Sequence, residues 1–367
     1  VTLADRPQAA VSPGPALVPI PMEVAVGYSG VDCSTESPGQ RALVLKQDRF
    51  FLLANEVGEI SPPGRCALGL FFDDTRILSN YSLRFAGGAP SILSAQVRRM
   101  FHAQIDLAIN DQAFGGDSWD PKNCVHILRE LLLDGGLRER VALTNYLTRG
   151  IDFWMELSLA SDFADIFEVR GWHRDARGQY YAPEIDDLGI TFAYRGRDGM
   201  LLRNRVRFVQ APTSIGPFGA SWAFRLEATS RLQFEWDITP DALPGSPITV
   251  RPLQERVSLL ETVGDQWTQA CSGWVSDVAA FNSMLTRAVE DLQALYIRAD
   301  GDEVIAAGIP WYSTAFGRDS IIASLQTLPV NTAIAVDTLR FLAARQGQRV
   351  NSFTEEQPGK IMHELRR

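Results

Sequence analysis

Little in this sequence is suited to disulfide or metal chemistry. Its four cysteines, Cys33, Cys66, Cys124 and Cys271, are scattered without Cys-x-x-Cys spacing. That disfavours a disulfide frame or a zinc site, and free thiols in a reducing compartment are expected. The four histidines, His102, His126, His173 and His363, form no His-Glu-x-x-His or His-x-His pattern, so neither a histidine-built metal site nor a cofactor is expected. No run of about eighteen apolar residues occurs, which excludes a membrane-spanning helix. No basic stretch leads into an apolar core near Val1, so no signal peptide is expected and a cytoplasmic location is. A first residue other than Met fits a processed or partial chain. Runs of Lys and Arg are absent, and acidic residues outnumber basic ones by 44 to 35, for a net charge of −9. Nucleic acid and anionic membranes are therefore disfavoured as partners, whereas a neutral substrate fits.

What is present describes a globular chain with sizeable cores: 46% apolar and 22% charged residues in 367, too long for one ordinary domain. Residues 1–40 are rich in proline (Pro7, Pro13, Pro15, Pro19, Pro21) and are expected to be irregular. From 41 to 240 short apolar or alternating runs follow one another, separated by Gly, Pro, Asn and Asp. They include Ala42–Leu53, Ile77–Phe85, Ile92–Arg98, Cys124–Leu133 and Leu232–Ile238. Closely spaced strands with almost no helical period predict an antiparallel β-sandwich. Gly87-Gly88, Gly115-Gly116 and Gly135-Gly136 are natural tight turns.

The period then changes. After a linker expected at 241–275, residues 276–367 read as helices. Phe281, Met284, Leu285, Ala288, Leu292 and Leu295 mark one helix face, with Ser276 or Asp277 as its cap. Ile321, Ile322, Leu325 and Leu328 mark a second helix, ended by Pro329. Asn331 caps a third, with Ala335, Leu339 and Leu342 inward and Gly347 as its stop. Strands first and helices later imply two domains.

The segment from Ala307 to Ser320 carries the most chemistry: Trp311 and Tyr312, then Gly317-Arg318-Asp319 at the start of a helix. A sugar ring can stack on an indole while a guanidinium and a carboxylate hold vicinal hydroxyls. The alternative is that Trp311 fills a core gap and Arg318–Asp319 is a solvated pair. Asp319 in a first helical turn suits the helix dipole, and Gly317 permits close backbone approach. A second cluster, Glu364 with His363 and Arg366, follows the turn at Pro358-Gly359; it is either a solvated loop or a second rim of the same pocket. The carboxylates Asp162, Asp165 and Glu168 lack the EF-hand pattern and read as edge or loop residues rather than a calcium site. Asp73-Asp74 reads as a turn, with Arg76 in a local ion pair.

Four segments together resemble the bacterial amylo-α-1,6-glucosidase, or glycogen-debranching-like, family. They are Gly69–Ser79, Asp162–Gly171, Ala307–Ser320 and Gln357–Arg366, in that order from residue 40 or so onward. Gln357 stands where a further acidic residue is expected. The resemblance implies an N-terminal β-sandwich followed by the first helices of an incomplete (α/α)6 toroid, since only three helices are readable. It further implies inverting hydrolysis of α-1,6-glucosidic bonds in glycogen-like glucans, with acid and base carboxylates beyond this chain. Trp311, Arg318, Asp319 and Glu364 are implied to bind the glucose unit, and no catalytic residue or metal ligand is assigned. Glucoamylase- or trehalase-like hydrolysis and a non-catalytic carbohydrate-binding module are the alternatives.

Overall fold

The structure, a computed structural model, describes residues 17–22, 42–60, 67–115, 123–241, 251–299 and 301–366. Strands come first: β1 (Pro19–Ile20), β2 (Leu43–Gln47), β3 (Phe50–Ala54), β4 (Gly69–Phe72), β5 (Thr75–Leu78), β6 (Asn80–Phe85), β7 (Ser91–Arg99), β8 (His102–Asn110), β9 (Asn123–Leu133), β10 (Leu137–Asn145) and β11 (Ile151–Ala160). After a single helical turn, α1 (Ile166–Val169), come β12 (Gln179–Asp186), β13 (Gly189–Arg195), β14 (Leu201–Phe208), β15 (Ser214–Gly216), β16 (Gly219–Leu226) and β17 (Arg231–Pro240).

These strands build the expected antiparallel sandwich. One layer is a nine-stranded sheet, ordered β1-β12-β13-β14-β17-β10-β9-β8-β7. Two four-stranded sheets, β15-β16-β11-β6 and β2-β3-β4-β5, oppose it. Alternation along β2–β5 aligns Leu45, Leu52, Leu70 and Leu78, all fully buried, as one ladder across that sheet. Between the layers Trp222 of β16 meets Trp236 of β17 and Phe208 of β14, with ring centroids 5.7 and 5.3 Å away.

The core also holds charge, which alternation does not reveal. Glu139 of β10 accepts from Arg129 Nε at 2.6 Å and Nη2 at 3.1 Å, and also from the Tyr81 hydroxyl. Trp236 Nε1 donates to that hydroxyl at 2.8 Å, and Arg129 Nη1 donates to Val57 O at 2.6 Å. Burial pushes the Tyr81 phenol pKa well up, with Glu139 adding to the effect. Every member is bonded, so the network locks the layers in register instead of leaving an orphan charge.

Several expectations are corrected. Ala42–Leu53 is not one strand: Asp48 (φ 48°) turns the chain between β2 and β3. Pro19 lies in a strand rather than an irregular segment, because β1 is an outer strand of its sheet and an edge tolerates a missing N–H. The rest of 1–40, apart from 17–22, lies outside the described residues, as do Cys33, Cys66 and Gly116. Cys124 and Cys271 are free thiols.

The expected linker is largely a helix, α2 (Leu253–Ala270), with 242–250 outside the described residues. Leu253 and Val257 pack on Leu132 of β9, while Arg256 bonds Asp134 Oδ2 at 2.7 Å and Asp237 Oδ1 at 3.3 Å. The connection between the units is thus docked against the sandwich.

Three further helices follow: α3 (Ala279–Leu295), α4 (Gly317–Thr327) and α5 (Thr332–Ala343). Two hairpins accompany them, β18 (Tyr296–Ala299) with β19 (Asp302–Ile305), and β20 (Ala315–Phe316) with β21 (Glu364–Leu365). Asn331 caps α5 as expected, accepting from Ala333 N at 3.0 Å. Neither Ser276 nor Asp277 caps α3; Ser276 instead ties off the preceding turn through Asn282 and Val278 N. α5 ends at Ala343, and Gly347 lies beyond it in a tight crossing, where an added Cβ would stand 2.3 Å from Gln357 O.

The apolar faces also differ. On α4 the buried residues are Gly317, Ser320, Ser324 and Thr327, whereas Ile321, Ile322, Leu325 and Leu328 are exposed. Phe281 and Met284 on α3 and Leu339 on α5 are exposed too. Small side chains let α4 lie close to its neighbours, with Ser320 Oγ bonding Ile305 O at 2.8 Å. The apolar spacing marks the helices, but among the described residues these positions are not covered. No described helix is long and apolar enough to cross a membrane.

Candidate functional site

The site is assembled by β20 and β21, which register analysis could not have paired. Phe316 faces Glu364 and Ala315 faces Leu365 across this short ladder, and Gly317 N donates to His363 O at 3.0 Å. An added Cβ at Gly317 would lie 2.3 Å from Met362 O, so only glycine allows the two segments to come this close. The pairing places Arg318 and Asp319, at the first turn of α4, beside the loop that carries His363, Glu364 and Arg366.

Arg366 joins this junction to the sandwich. Its guanidinium bonds Glu364 Oε2 at 2.9 Å, Asp74 Oδ1 at 2.7 Å and Trp311 O at 3.3 Å. It also lies over the Phe167 ring at 4.8 Å and the Phe316 ring at 5.6 Å. Asp74 is buried, so this contact fixes the β4–β5 turn against the C-terminal segment. Arg76, expected in a local ion pair, also reaches Asp162, with Nε 3.1 Å from Oδ1. Asp73 pairs with Arg49.

The acidic stretch at 162–168 is structural throughout. Asp162 receives Arg76, Asp165 caps α1 in a reciprocal box with Glu168, and Glu168 lies 2.9 Å from Arg177. Burial raises the Glu168 pKa, against the pull of Arg177. These bonds aim the α1 segment at the helical unit, where the Arg170 guanidinium sits 5.5 Å from the Trp311 ring centroid and 5.8 Å from that of Tyr312.

The four residues implied to bind sugar therefore gather around one junction, in different states. Trp311 is half-buried against the sandwich core under Arg170, which is closer to its packing role than to an open platform. Tyr312, 45% exposed, is the more available ring of the pair, although only Trp311 was implied to bind sugar. Arg318 is almost free, with a side chain 78% exposed and a guanidinium only 3.6 Å from Asp319, beyond hydrogen-bond reach. Asp319 and Glu364 are partly exposed. Neither Arg318 nor Asp319 lines the cavity bounded by Trp267 and Tyr296 or the small cleft beside Asp73 and Ser313. They stand on an open face continuous with the apolar side of α4. Arg170 was also missed, since nothing in linear sequence links residue 170 to 311.

Residues 45–237 match the family model described as the N-terminal domain of (some) glycogen debranching enzymes, more than half of the chain. The chain belongs to that family. Its fold resembles that of a human-microbiome protein assigned as a kojibiose phosphorylase, at TM-score 0.61 and 11% identity, over 83% of this chain and 47% of that one. The chain thus spans about half the length of that structure. A Synechocystis protein (TM-score 0.32, 10% identity, 57% of this chain and 99% of that one) and a Thermococcus litoralis 4-α-glucanotransferase (0.31, 9%, 55% and 38%) share less. No curated protein matches in sequence. The fold is a mostly β, sandwich-like N-terminal unit followed by a few helices.

Proposed function

We propose that this chain is the sugar-holding part of a glycoside hydrolase that cleaves α-1,6-glucosidic bonds of glycogen-like glucans. The observation that carries the proposal is the convergence at one junction of Asp74, the α1 segment, the Trp311–Asp319 loop and Glu364. Arg318 and Asp319 are the groups free to act on a ligand there. A guanidinium with five N–H donors, only loosely held by its neighbour, can grip vicinal hydroxyls that the carboxylate accepts from. Tyr312 and the Arg170-covered Trp311 form the adjoining wall, and Glu364, fixed by Arg366, lies at the rim.

Inverting hydrolysis needs an acid and a base carboxylate ~6.5–9.5 Å apart across the bond. Asp319 is assigned to positioning, which can lower a barrier by up to ~7–11 kcal/mol in well-oriented systems. The acid and base are assigned to polypeptide outside these 367 residues that packs on the exposed faces of α4 and α5. This chain alone then binds sugar without cleaving it, and measurable turnover by it would overturn that assignment. In the complete enzyme, Asp319→Asn is expected to lower kcat/KM at least tenfold, about 1.4 kcal/mol, with the fold intact. An unchanged kcat/KM returns Asp319 to a purely structural role. Preference for trehalose or maltooligosaccharides over isomaltooligosaccharides would refute the bond assignment.

A further inference from the structure

A cavity of about 390 Å³ opens where the sandwich meets the helices, away from the junction described above. Its walls come from the β2–β3 turn, the β7–β8 turn, α2, α3 and the β18–β19 hairpin. Ion pairs and a hydrogen bond tie these walls to one another. Arg99 bridges Glu290 of α3 and Asp265 of α2, and Arg298 N donates to Asp48 Oδ1 at 2.8 Å. The volume falls within the range of small-molecule sites, roughly 300–1,000 Å³.

The lining chemistry selects the ligand. Three cations (Lys46, Arg99, Arg298) are matched by three carboxylates (Asp48, Glu290, Glu303), so neither an anion nor a cation is favoured. The side chains of Gln47, Gln266 and Gln293, by contrast, make no hydrogen bond to the described residues, and all three line the space. Neutral amides offering both donors and acceptors suit hydroxyl groups. Trp267 and Tyr296, with ring centroids 5.3 Å apart, supply an apolar wall of the kind that takes a sugar's C–H face.

The wall is also kept open. Gly264 sits within α2, where glycine weakens a helix, and an added Cβ there would point toward Gln293 Oε1 at 3.6 Å. There is room for a small side chain, yet the position carries none.

We propose that this cavity binds a small neutral sugar, a mono- or disaccharide, at a site separate from Arg318 and Asp319. The proposal rests on the lining, not on the hydrolase reading.

The test is calorimetric titration of the chain with glucose, maltose and isomaltose, with inorganic phosphate as the charged control. Saturable sugar binding is expected at millimolar concentration, with none for phosphate. Gly264→Leu, which fills the cavity and improves the helix, is expected to weaken binding at least tenfold without lowering the melting temperature. Gln293→Ala is expected to weaken it as well and serves if the leucine variant does not fold. Asp319→Asn is expected to remove any sugar bound at the junction and to leave a second saturable site, the one that Gly264→Leu and Gln293→Ala weaken. Binding lost in Asp319→Asn but kept in both cavity variants would place the sugar at the junction and overturn the proposal. So would preference for phosphate, or no saturable binding of any sugar.

Discussion

Replacing Lys46 with methionine is expected to stabilise the chain at neutral pH, and to do so less as the pH rises. Lys46 lies on β2, 1% exposed, and its Nζ donates to Asp48 O. Desolvation lowers its pKa to about 8, only partly opposed by Asp48 and Asp73. Below pH 8 both folded and unfolded chains carry the proton, and the folded state bears the whole cost of burying it. Between about 8 and 10.5 the folded chain releases the proton first, so stability rises with pH. Above the unfolded value the cost is gone. The interval between about 8 and 10.5 corresponds to about 3 kcal/mol. Methionine has similar length and no charge, so the variant should gain about that much at pH 7 and almost nothing near pH 10.5.

Urea unfolding of both proteins across this pH range measures the difference directly. The background is favourable, because Lys46, Lys122 and Lys360 are the only lysines and the other two are common to both proteins. A stability gap that stays constant with pH, or a methionine variant less stable at pH 7, would refute the reasoning.

Two more outcomes follow from buried geometry. Glu139→Gln leaves the Arg129 guanidinium without its carboxylate in a dry core and should cost about 3–5 kcal/mol in urea unfolding; the Arg129→Met/Glu139→Leu pair should recover much of this, and a single-variant loss below about 1 kcal/mol would contradict the network's role. Gly317→Ala drives a Cβ into Met362 O and must part β20 from β21, so hydrogen exchange at the residue-317 amide should quicken at least tenfold while core sandwich amides stay protected; unchanged exchange would show that the junction does not need this close approach.

Much of the fold was legible because it is written in short-range pattern. Alternation with Gly turns located β7, β9 and β17. Gly87 (φ 85°) and Gly135 (φ 66°) occupy the left-handed conformations that their turns require. The Asn331 cap was equally local. α2 was read as a linker between the strand and helix regions, although Leu253, Val257 and Leu260 already show helical spacing. Ile321, Ile322, Leu325 and Leu328 marked the helix, and an apolar side ordinarily finds a partner nearby. Among the described residues it does not, and the small residues on the other side do the packing.

The sequence by itself determined the order of strands before helices and the lack of an apolar run long enough for a spanning helix. Those features depend on composition and on neighbours a few residues apart. Tertiary structure alone decided that Arg366 meets Asp74, 292 positions earlier, that Arg76 reaches Asp162, 86 positions later, and that Arg170 covers Trp311. A charged side chain selects its partner by where the chain's crossings place it. In an antiparallel sandwich those crossings are set by pairings between distant strands, for which linear spacing carries no signal.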